Sequence, residues 1–206
     1  MSTDLLRDLR LYVVTDERPD GDALLPIVAQ AIAGGATAVQ LRRKAELGRR
    51  FVELGVALRA LTKAQGALFF INDRVDVARL VDADGVHVGQ DDISCRDART
   101  LLPDKIIGVS VDTVAQAREA QRAGADYLGV GAVYATQSKL DAAYTGLSGL
   151  QTIAASVRLP VVGIGGIDVS NAQAVIQHGA CGIAVVSAVM SAADPAGTAR
   201  QLCRLI

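Results

Sequence analysis

The chain has 206 residues and 50% of them are hydrophobic, which is enough for one sizeable core. Its 21 basic and 22 acidic residues leave a formal net charge of -1, which excludes a global field that would recruit nucleic acid or an anionic membrane. The three cysteines are widely spaced, which favours reduced, packed side chains over disulfides or a metal site. Since no run reaches the roughly 18 apolar residues of a membrane span, we expect a cytoplasmic protein. We expect its partners to be small molecules, and homo-oligomerisation stays open.

Short apolar runs alternate with longer segments at helical spacing from residue 11 onward. Some runs are apolar at consecutive positions, as in 11–14 and 182–186, which is typical of strands buried on both faces in a parallel sheet. The pattern predicts eight strands, at 11–15, 38–41, 68–71, 85–88, 106–109, 127–130, 161–164 and 182–186.

An internal repeat favours closure of these strands into a barrel. A helix end, a small-residue turn and an apolar run recur about every 50 residues, as AGGATAVQL at 33–41, VDADGVHV at 81–88, RAGADYLGV at 122–130 and QHGACGIAV at 177–185. Gly35, Gly124 and Gly179 are expected to end the helices. A doubly wound open sheet is the rival fold, but it has no reason to repeat four times. We therefore predict one α/β domain over residues 1–206, a (β/α)8 TIM barrel.

Two predicted strands end in carboxylates. Asp73 follows the strand at 68–71, and Asp91 and Asp92 follow the strand at 85–88. If these strands are neighbours, their ends lie about 5 Å apart, and Asp73 and Asp92 approach one divalent cation from two sides. The alternative is that Asp73 caps the next helix while Asp91 and Asp92 are solvated. This segment alone favours the alternative, so the other strand ends have to decide.

Cationic residues and glycine turns follow other strands. Gln40 and Arg42 share one face of a strand end, and Lys44 comes just after it, so Arg42 and Lys44 can hold a phosphate unless they form a mere basic surface turn. The run at 163–167, with Gly166, precedes a helix expected to open at Asp168, and its N–H groups can face an anion. The turn at 185–188, with Val186 and Ser187, offers a second cradle, although glycines also serve tight turns.

The segment 132–148 has neither helical nor strand periodicity, and its length predicts a lid over the barrel mouth. Thr136, Ser138 and Lys139 can close over a phosphorylated ligand, while a solvated loop would explain the segment equally well. The combined inventory indicates a diphosphate site with Mg²⁺ on Asp73 and Asp92. His87 lies inside a strand and is interpreted as a satisfied interior residue.

Motifs along nearly the whole chain resemble those of the thiamine-phosphate synthase family. They are LYVVTD at 11–16, VQLRRK at 39–44, INDRVD at 71–76, ADGVHVGQDD at 83–92, GVS at 108–110, GADYLGVG at 124–131, VVGIGGI at 161–167 and VVSA at 185–188. The resemblance implies a (β/α)8 transferase that joins 4-amino-2-methyl-5-hydroxymethylpyrimidine diphosphate to 4-methyl-5-(2-hydroxyethyl)thiazole phosphate in thiamine biosynthesis and releases diphosphate.

The resemblance also implies roles for individual residues. Gln40, Arg42, Lys44 and Asn72 would contact the pyrimidine diphosphate, and Asp73 and Asp92 would bind Mg²⁺. Ser110 would hold the pyrimidine or the departing diphosphate, and Lys139 would neutralise that diphosphate, so that Arg42, Ser110 and Lys139 are the expected catalytic residues. The thiazole phosphate would be held by Thr136, Ser138, Gly166, Val186 and Ser187.

One position and one loop depart from the family pattern. Asp112 stands where a histidine is usual, and the loop reads ATQSKLDAAYTG at 135–146 without the usual prolines. These changes keep two alternatives open, a thiazole tautomerase on the same barrel and a catalytically silent barrel that binds thiamine precursors. The missing histidine argues against the proton shuttle that a tautomerase needs, and the retained Asp73 and Asp92 favour the synthase.

Overall fold

Eight parallel strands close into a barrel in the computed structural model, which describes residues 4–136 and 144–206. The strands are β1 (Leu11–Val14), β2 (Ala38–Leu41), β3 (Leu68–Asn72), β4 (Gly85–Val88), β5 (Ile106–Val111), β6 (Tyr127–Val130), β7 (Val161–Ile164) and β8 (Gly182–Val185). Each strand pairs with the next, and β1 closes the ring by pairing with β8. The predicted barrel is confirmed, and the open sheet is wrong. Strand bounds differ from the predicted ones by at most two residues.

Most of the helices connect consecutive strands on the outside of the barrel, whereas the first helix precedes β1 and the last two follow β8. They are α1 (Leu5–Asp8), α2 (Leu24–Ala33), α3 (Gly48–Gln65), α4 (Val75–Leu80), α5 (Cys95–Leu101), α6 (Val114–Arg122), α7 (Gly146–Ala154), α8 (Ala172–Gln177), α9 (Ser187–Met190) and α10 (Pro195–Leu205). Gly35, Gly124 and Gly179 follow helix ends with positive φ, as predicted. No helix in the described ranges is long and apolar enough to cross a membrane.

Two predicted boundaries near the strand ends were wrong. The helix after β7 begins at Ala172 and not at Asp168, because Asp168 forms a turn in which its carboxylate accepts from the Ser170 N–H at 2.8 Å. Residues 146–148 belong to α7, so the predicted irregular segment does not extend to residue 148. Its Ser138 and Lys139 lie outside the described residues.

The two faces of each strand pack into different environments. Inside the barrel, Leu9, Tyr12, Val14, Ala38, Phe70, Tyr127, Val162 and Ala184 form one buried cluster. The alternate side chains pack outward against the helices in a larger cluster. Glycines in β4 and β5 make room for the inner aromatic rings, since a Cβ at Gly108 would collide with Tyr127 and one at Gly85 would lie 2.8 Å from Phe70.

The internal sequence repeat has a structural counterpart at the N-terminal ends of the strands. In three repeats, the residue just before an even-numbered strand accepts a hydrogen bond from the preceding strand. Thr37 accepts from the Leu11 N–H at 3.1 Å, Asp84 from the Phe69 N–H at 2.8 Å and Asp126 from the Ile107 N–H at 2.7 Å. These contacts fix the register of neighbouring strands at the end of the barrel away from the strand carboxyl ends.

Candidate active site

A cavity of about 270 Å³ opens at the carboxyl ends of the strands. Every predicted site residue that the structure describes lines it: Gln40, Arg42, Lys44, Asn72, Asp73, Asp92, Ser110, Thr136, Gly166, Val186 and Ser187. The barrel ring brings these residues together from distant parts of the chain, because parallel strands end at one edge. Ser138 and Lys139 lie outside the described residues.

Asp73 and Asp92 face each other across the ends of β3 and β4. Asp73 has a left-handed backbone (φ 61°), and its N–H donates to the His87 carbonyl at 2.8 Å. Helix α4 begins after Arg74 without any side-chain cap, so Asp73 does not serve as the helix cap of the alternative interpretation. Asp92 accepts from the Gly89 N–H at 2.8 Å, which orients its carboxylate.

The two carboxyl groups perturb each other. Burial raises the pKa of Asp73, and the hydrogen bond and negative charge of Asp92 raise it further. Lys44 opposes this shift in the pKa from 3.3 Å, but its side chain is 52% exposed and water weakens the attraction. The pair therefore carries repulsion that a cation would relieve.

This donor set fits Mg²⁺. Carboxylate oxygens are the ligands that Mg²⁺ prefers, and it is usually held by one or two carboxylates together with substrate phosphates and water. No group of three or more His, Cys, Asp or Glu residues suited to a metal occurs in the part of the chain that the structure describes. Asp73 and Asp92 with the basic side chains of Arg42 and Lys44 beside them fit the form of site in which Mg²⁺ shares its ligands with a phosphate.

The basic residues after β2 divide into two kinds. Arg42 and Lys44 line the cavity, with Glu17 3.8 Å from the Arg42 guanidinium and accepting from the Lys44 N–H at 2.7 Å. Arg43 turns away, donating to the Arg18 carbonyl at 2.7 Å and to Glu46 at 2.9 Å. Arg42 and Lys44 are therefore the cations available to a ligand, and Arg43 supports the loops behind them.

Two turns on the far side of the mouth present unused N–H groups. After β7, the N–H groups of Gly165, Gly166 and Ile167 have no acceptor among residues 4–136 and 144–206. The same is true of Ser187 and Ala188 after β8. Gly166 has φ 65°, and a Cβ there would lie 2.6 Å from the Ala135 carbonyl, so glycine also serves the close approach of the β6–β7 loop. Such N–H clusters bind phosphate.

The floor of the cavity is polar. Tyr12, Gln40, His87, Ser110 and Tyr127 all line it, and hydrogen bonds join them in series. His87 is 9% exposed with both ring nitrogens bonded, in agreement with its interpretation as a satisfied interior residue.

Comparisons with known proteins identify the family. The family model for thiamine monophosphate synthase matches residues 11–189. Thiamine-phosphate synthase from Moorella thermoacetica is 52% identical over 199 residues, covering 95% of both chains, and the Chloroflexus aurantiacus protein of the same name is 50% identical over 208 residues, covering 100% of this chain and 96% of its own. The chain belongs to the thiamine-phosphate synthase family.

Solved structures agree with this membership of the thiamine-phosphate synthase family. Thiamine phosphate pyrophosphorylase from Pyrococcus furiosus has a TM-score of 0.89 at 45% identity, covering 98% of this chain and 97% of its own. A 3-hexulose-6-phosphate synthase, at 22% identity, has a TM-score of 0.74 and shares the fold. The resemblance drawn from the motifs is confirmed, and so are the transferase class and the thiamine pathway that the family implies.

The sequence pattern does not predict that Tyr12 and Tyr127 line the candidate site. The sequence pattern predicts only that both lie in strands, whereas in the structure each is buried with its hydroxyl on the cavity floor. The sequence signal that could have indicated this role is the presence of glycines in neighbouring strands. Gly108 leaves the space that the Tyr127 ring fills, and Gly129 leaves the space that His87 fills.

Proposed function

We propose that this protein catalyses the Mg²⁺-dependent condensation of 4-amino-2-methyl-5-hydroxymethylpyrimidine diphosphate with 4-methyl-5-(2-hydroxyethyl)thiazole phosphate, with release of diphosphate. One observation carries the proposal: two groups of residues suited to anions line opposite sides of one cavity. The carboxylate pair with Lys44 lies at β3 and β4, and the N–H turns follow β7 and β8, four strands away in a ring of eight. A reaction that joins two phosphorylated substrates needs such an arrangement.

The first region suits the diphosphate. Asp73 and Asp92 would hold Mg²⁺, and bound Mg²⁺ would supply positive charge that stabilises diphosphate as a leaving group. Arg42 offers a planar fork and Lys44 a point charge to the remaining oxygens. Gln40, Asn72 and Ser110 would orient the pyrimidine, and Lys139 would neutralise the departing diphosphate.

The second region suits the thiazole phosphate. Its oxygens would accept from the N–H groups of Gly166 and Ser187 beside Val186, with Thr136 and Ser138 approaching from the loop. The bond from the pyrimidine methylene carbon to diphosphate breaks with both electrons leaving on diphosphate, and the lone pair of the thiazole nitrogen forms the new carbon–nitrogen bond. No proton has to be removed, so positioning and charge stabilisation suffice.

The direct test is thiamine phosphate formation from the two substrates, measured with Mg²⁺ and again with EDTA. We expect product only with both substrates and metal. Asp92→Ala should lower kcat by at least about 100-fold, because it removes one carboxylate from the metal. Asp104→Ala is the matched control, an exposed aspartate before β5 at the other end of the barrel.

Two results would contradict the proposal. Full turnover in EDTA or in Asp92→Ala would remove the metal assignment. Binding of both ligands without product would point to a tautomerase or a silent binding protein, and the thiazole carboxylate isomers would then be assayed. Cytoplasmic location and homo-oligomerisation stay predictions.

A further inference from the structure

Five polar side chains form a continuous hydrogen-bonded series across the cavity floor. The Gln40 amide N–H donates to the Tyr12 hydroxyl at 2.9 Å, and the Tyr12 and Tyr127 hydroxyl oxygens lie 3.1 Å apart. The Tyr127 hydroxyl lies 2.9 Å from His87 Nδ1, and His87 Nε2 lies 2.8 Å from the Ser110 hydroxyl. The series thus joins β2, β1, β6, β4 and β5.

The direction of every hydrogen bond in this floor chain follows from its first donor. An amide N–H can only donate, so the Tyr12 oxygen accepts from Gln40 and its single proton goes to Tyr127. Tyr127 has then only His87 Nδ1 left as acceptor for its own proton. Neutral His87 must therefore carry its proton on Nε2 and donate it to Ser110.

Burial keeps this order in place. Tyr12 and Tyr127 are 1% and 0% exposed, and desolvation raises the pKa of both hydroxyls, so each retains one proton at neutral pH. Tight packing leaves little room for other arrangements, since a Cβ at Gly108 would collide with Tyr127 and one at Gly129 would lie 3.0 Å from His87. Among the residues that the structure describes, the hydroxyl groups of Tyr12 and Tyr127 form no hydrogen bonds beyond those of this series.

We propose that Tyr12, Tyr127 and His87 are positioning residues that fix the Ser110 hydroxyl as a hydrogen-bond donor toward the ligand. Since Ser110 accepts from His87, its own proton is the one directed into the cavity. The ligand group that fits is an unprotonated acceptor, such as an aromatic ring nitrogen. This assignment deepens the proposed function, on which it rests for the identity of the ring as a pyrimidine.

A ligand-free measurement tests the direction of the chain. The sequence has only two histidines, and they should show opposite tautomers in long-range ¹H–¹⁵N spectra recorded above pH 8. His178 Nδ1 lies 2.7 Å from the Ala174 carbonyl, which only accepts, so neutral His178 carries its proton on Nδ1. We expect the Nε2–H form for His87, with His178→Gln assigning the signals. An Nδ1–H form at His87 would overturn the proposal.

Phenylalanine variants test its consequence. Tyr127→Phe keeps the ring but removes the donor to His87 Nδ1, so the Nε2–H form should lose its dominance. Tyr12→Phe interrupts the floor chain one hydrogen bond further from His87. It should shift the His87 tautomer in the same direction as Tyr127→Phe, but by a smaller amount. Because each variant is read from its own spectrum, a variant that fails to fold leaves the other to decide.

Ligand binding separates positioning from mere structural support. In Tyr127→Phe, the dissociation constant of the pyrimidine diphosphate should rise on the order of 10-fold, while that of inorganic diphosphate with Mg²⁺ stays within about twofold. Ser110→Ala should weaken pyrimidine binding in the wild type and add less in the Tyr127→Phe background. Equal losses for both ligands, or strict additivity, would overturn the proposal. If the wild type binds no pyrimidine, the proposed function fails while the histidine spectra still decide the chain.

Discussion

At the residue scale, Asp73 is a position where the candidate site lowers the stability of the folded protein. Its carboxylate is buried beside Asp92, and its backbone is left-handed, where asparagine and aspartate are the best-tolerated residues after glycine. The residue is thus suited to a bound cation and poorly suited to the metal-free protein.

We predict that Asp73→Asn stabilises the metal-free protein at pH 7 by about 0.5–2 kcal/mol, the range usual for substitutions that relieve such sites. Because the pKa of Asp73 is raised on folding, its penalty is fully present above the folded pKa and disappears below the unfolded value. The gain should therefore shrink as the pH falls toward 4. Urea unfolding in EDTA across this range would measure it, and turnover should be lost.

Asp76 provides the matched control on the next helix. The Arg74 guanidinium, 2.5 Å away, lowers the pKa of Asp76, so its charge is favourable in the folded state. Asp76→Asn should give no gain in stability at pH 7. If Asp73→Asn destabilised the protein as well, repulsion between Asp73 and Asp92 would not be the dominant effect.

Local sequence patterns identify the residues at the strand ends, but they do not identify the hydrogen-bonded floor chain. Asp73 and Asp92 each follow an apolar run, so strand order alone brings them to one edge. The contact between Tyr12 and Tyr127 depends on closure of β1 onto β8 and on the space that Gly108 in β5 leaves for the Tyr127 ring. Residues 115 positions apart meet there through the whole barrel, and no local pattern encodes such a contact.

At the scale of elements, the repeated contacts before β2, β4 and β6 act as register clamps. Asp126 is one example, because its carboxylate accepts from the Ile107 N–H at 2.7 Å and from Arg99 at 2.5 Å. The fourth repeat has Cys181 at this position, whose sulfur is a weaker acceptor than the oxygens of Thr37, Asp84 and Asp126. The sequence repeat predicts four similar units, and three of them share this side-chain hydrogen bond as well as the spacing.

Asp126→Ala should lower the free energy of unfolding by about 1–3 kcal/mol, because the Ile107 N–H loses a charged acceptor. The ion pair itself adds little, since its side chains are 27% and 36% exposed. The urea midpoint should fall with an unchanged slope, and Asp126→Asn should recover much of the loss. An effect as small as that of the exposed Asp104→Ala would contradict the clamp.

At the scale of the whole molecule, the candidate site lies at one end of the barrel, and part of the packing that stabilises the fold lies at the other. Leu9 precedes β1, is fully buried in the interior cluster and lies away from the strand carboxyl ends that form the cavity. Helix α1 contributes Leu5 to the same packing. Mutations at this end should change folding without changing the site.

Leu9→Ala should therefore cost about 2–5 kcal/mol of stability, the usual range for a buried leucine, with the KM of both substrates unchanged. Leu6→Ala is the control from the same segment, since Leu6 is 59% exposed and should stay within about 0.5 kcal/mol of the wild type. Thermal unfolding and steady-state kinetics on the same samples separate the two effects. A raised KM in folded Leu9→Ala would show that the ends are coupled.

The tyrosines of the cavity floor also give the protein a built-in optical reporter. The sequence has four tyrosines and no tryptophan, so ultraviolet emission comes from tyrosine alone, without energy transfer to an indole. Tyr12 and Tyr127 sit directly beneath the ligand cavity, and Tyr134 lies beside the Gly166 turn. Substrate binding should therefore change the intrinsic fluorescence without any added dye, and removing Tyr127 should remove most of that signal.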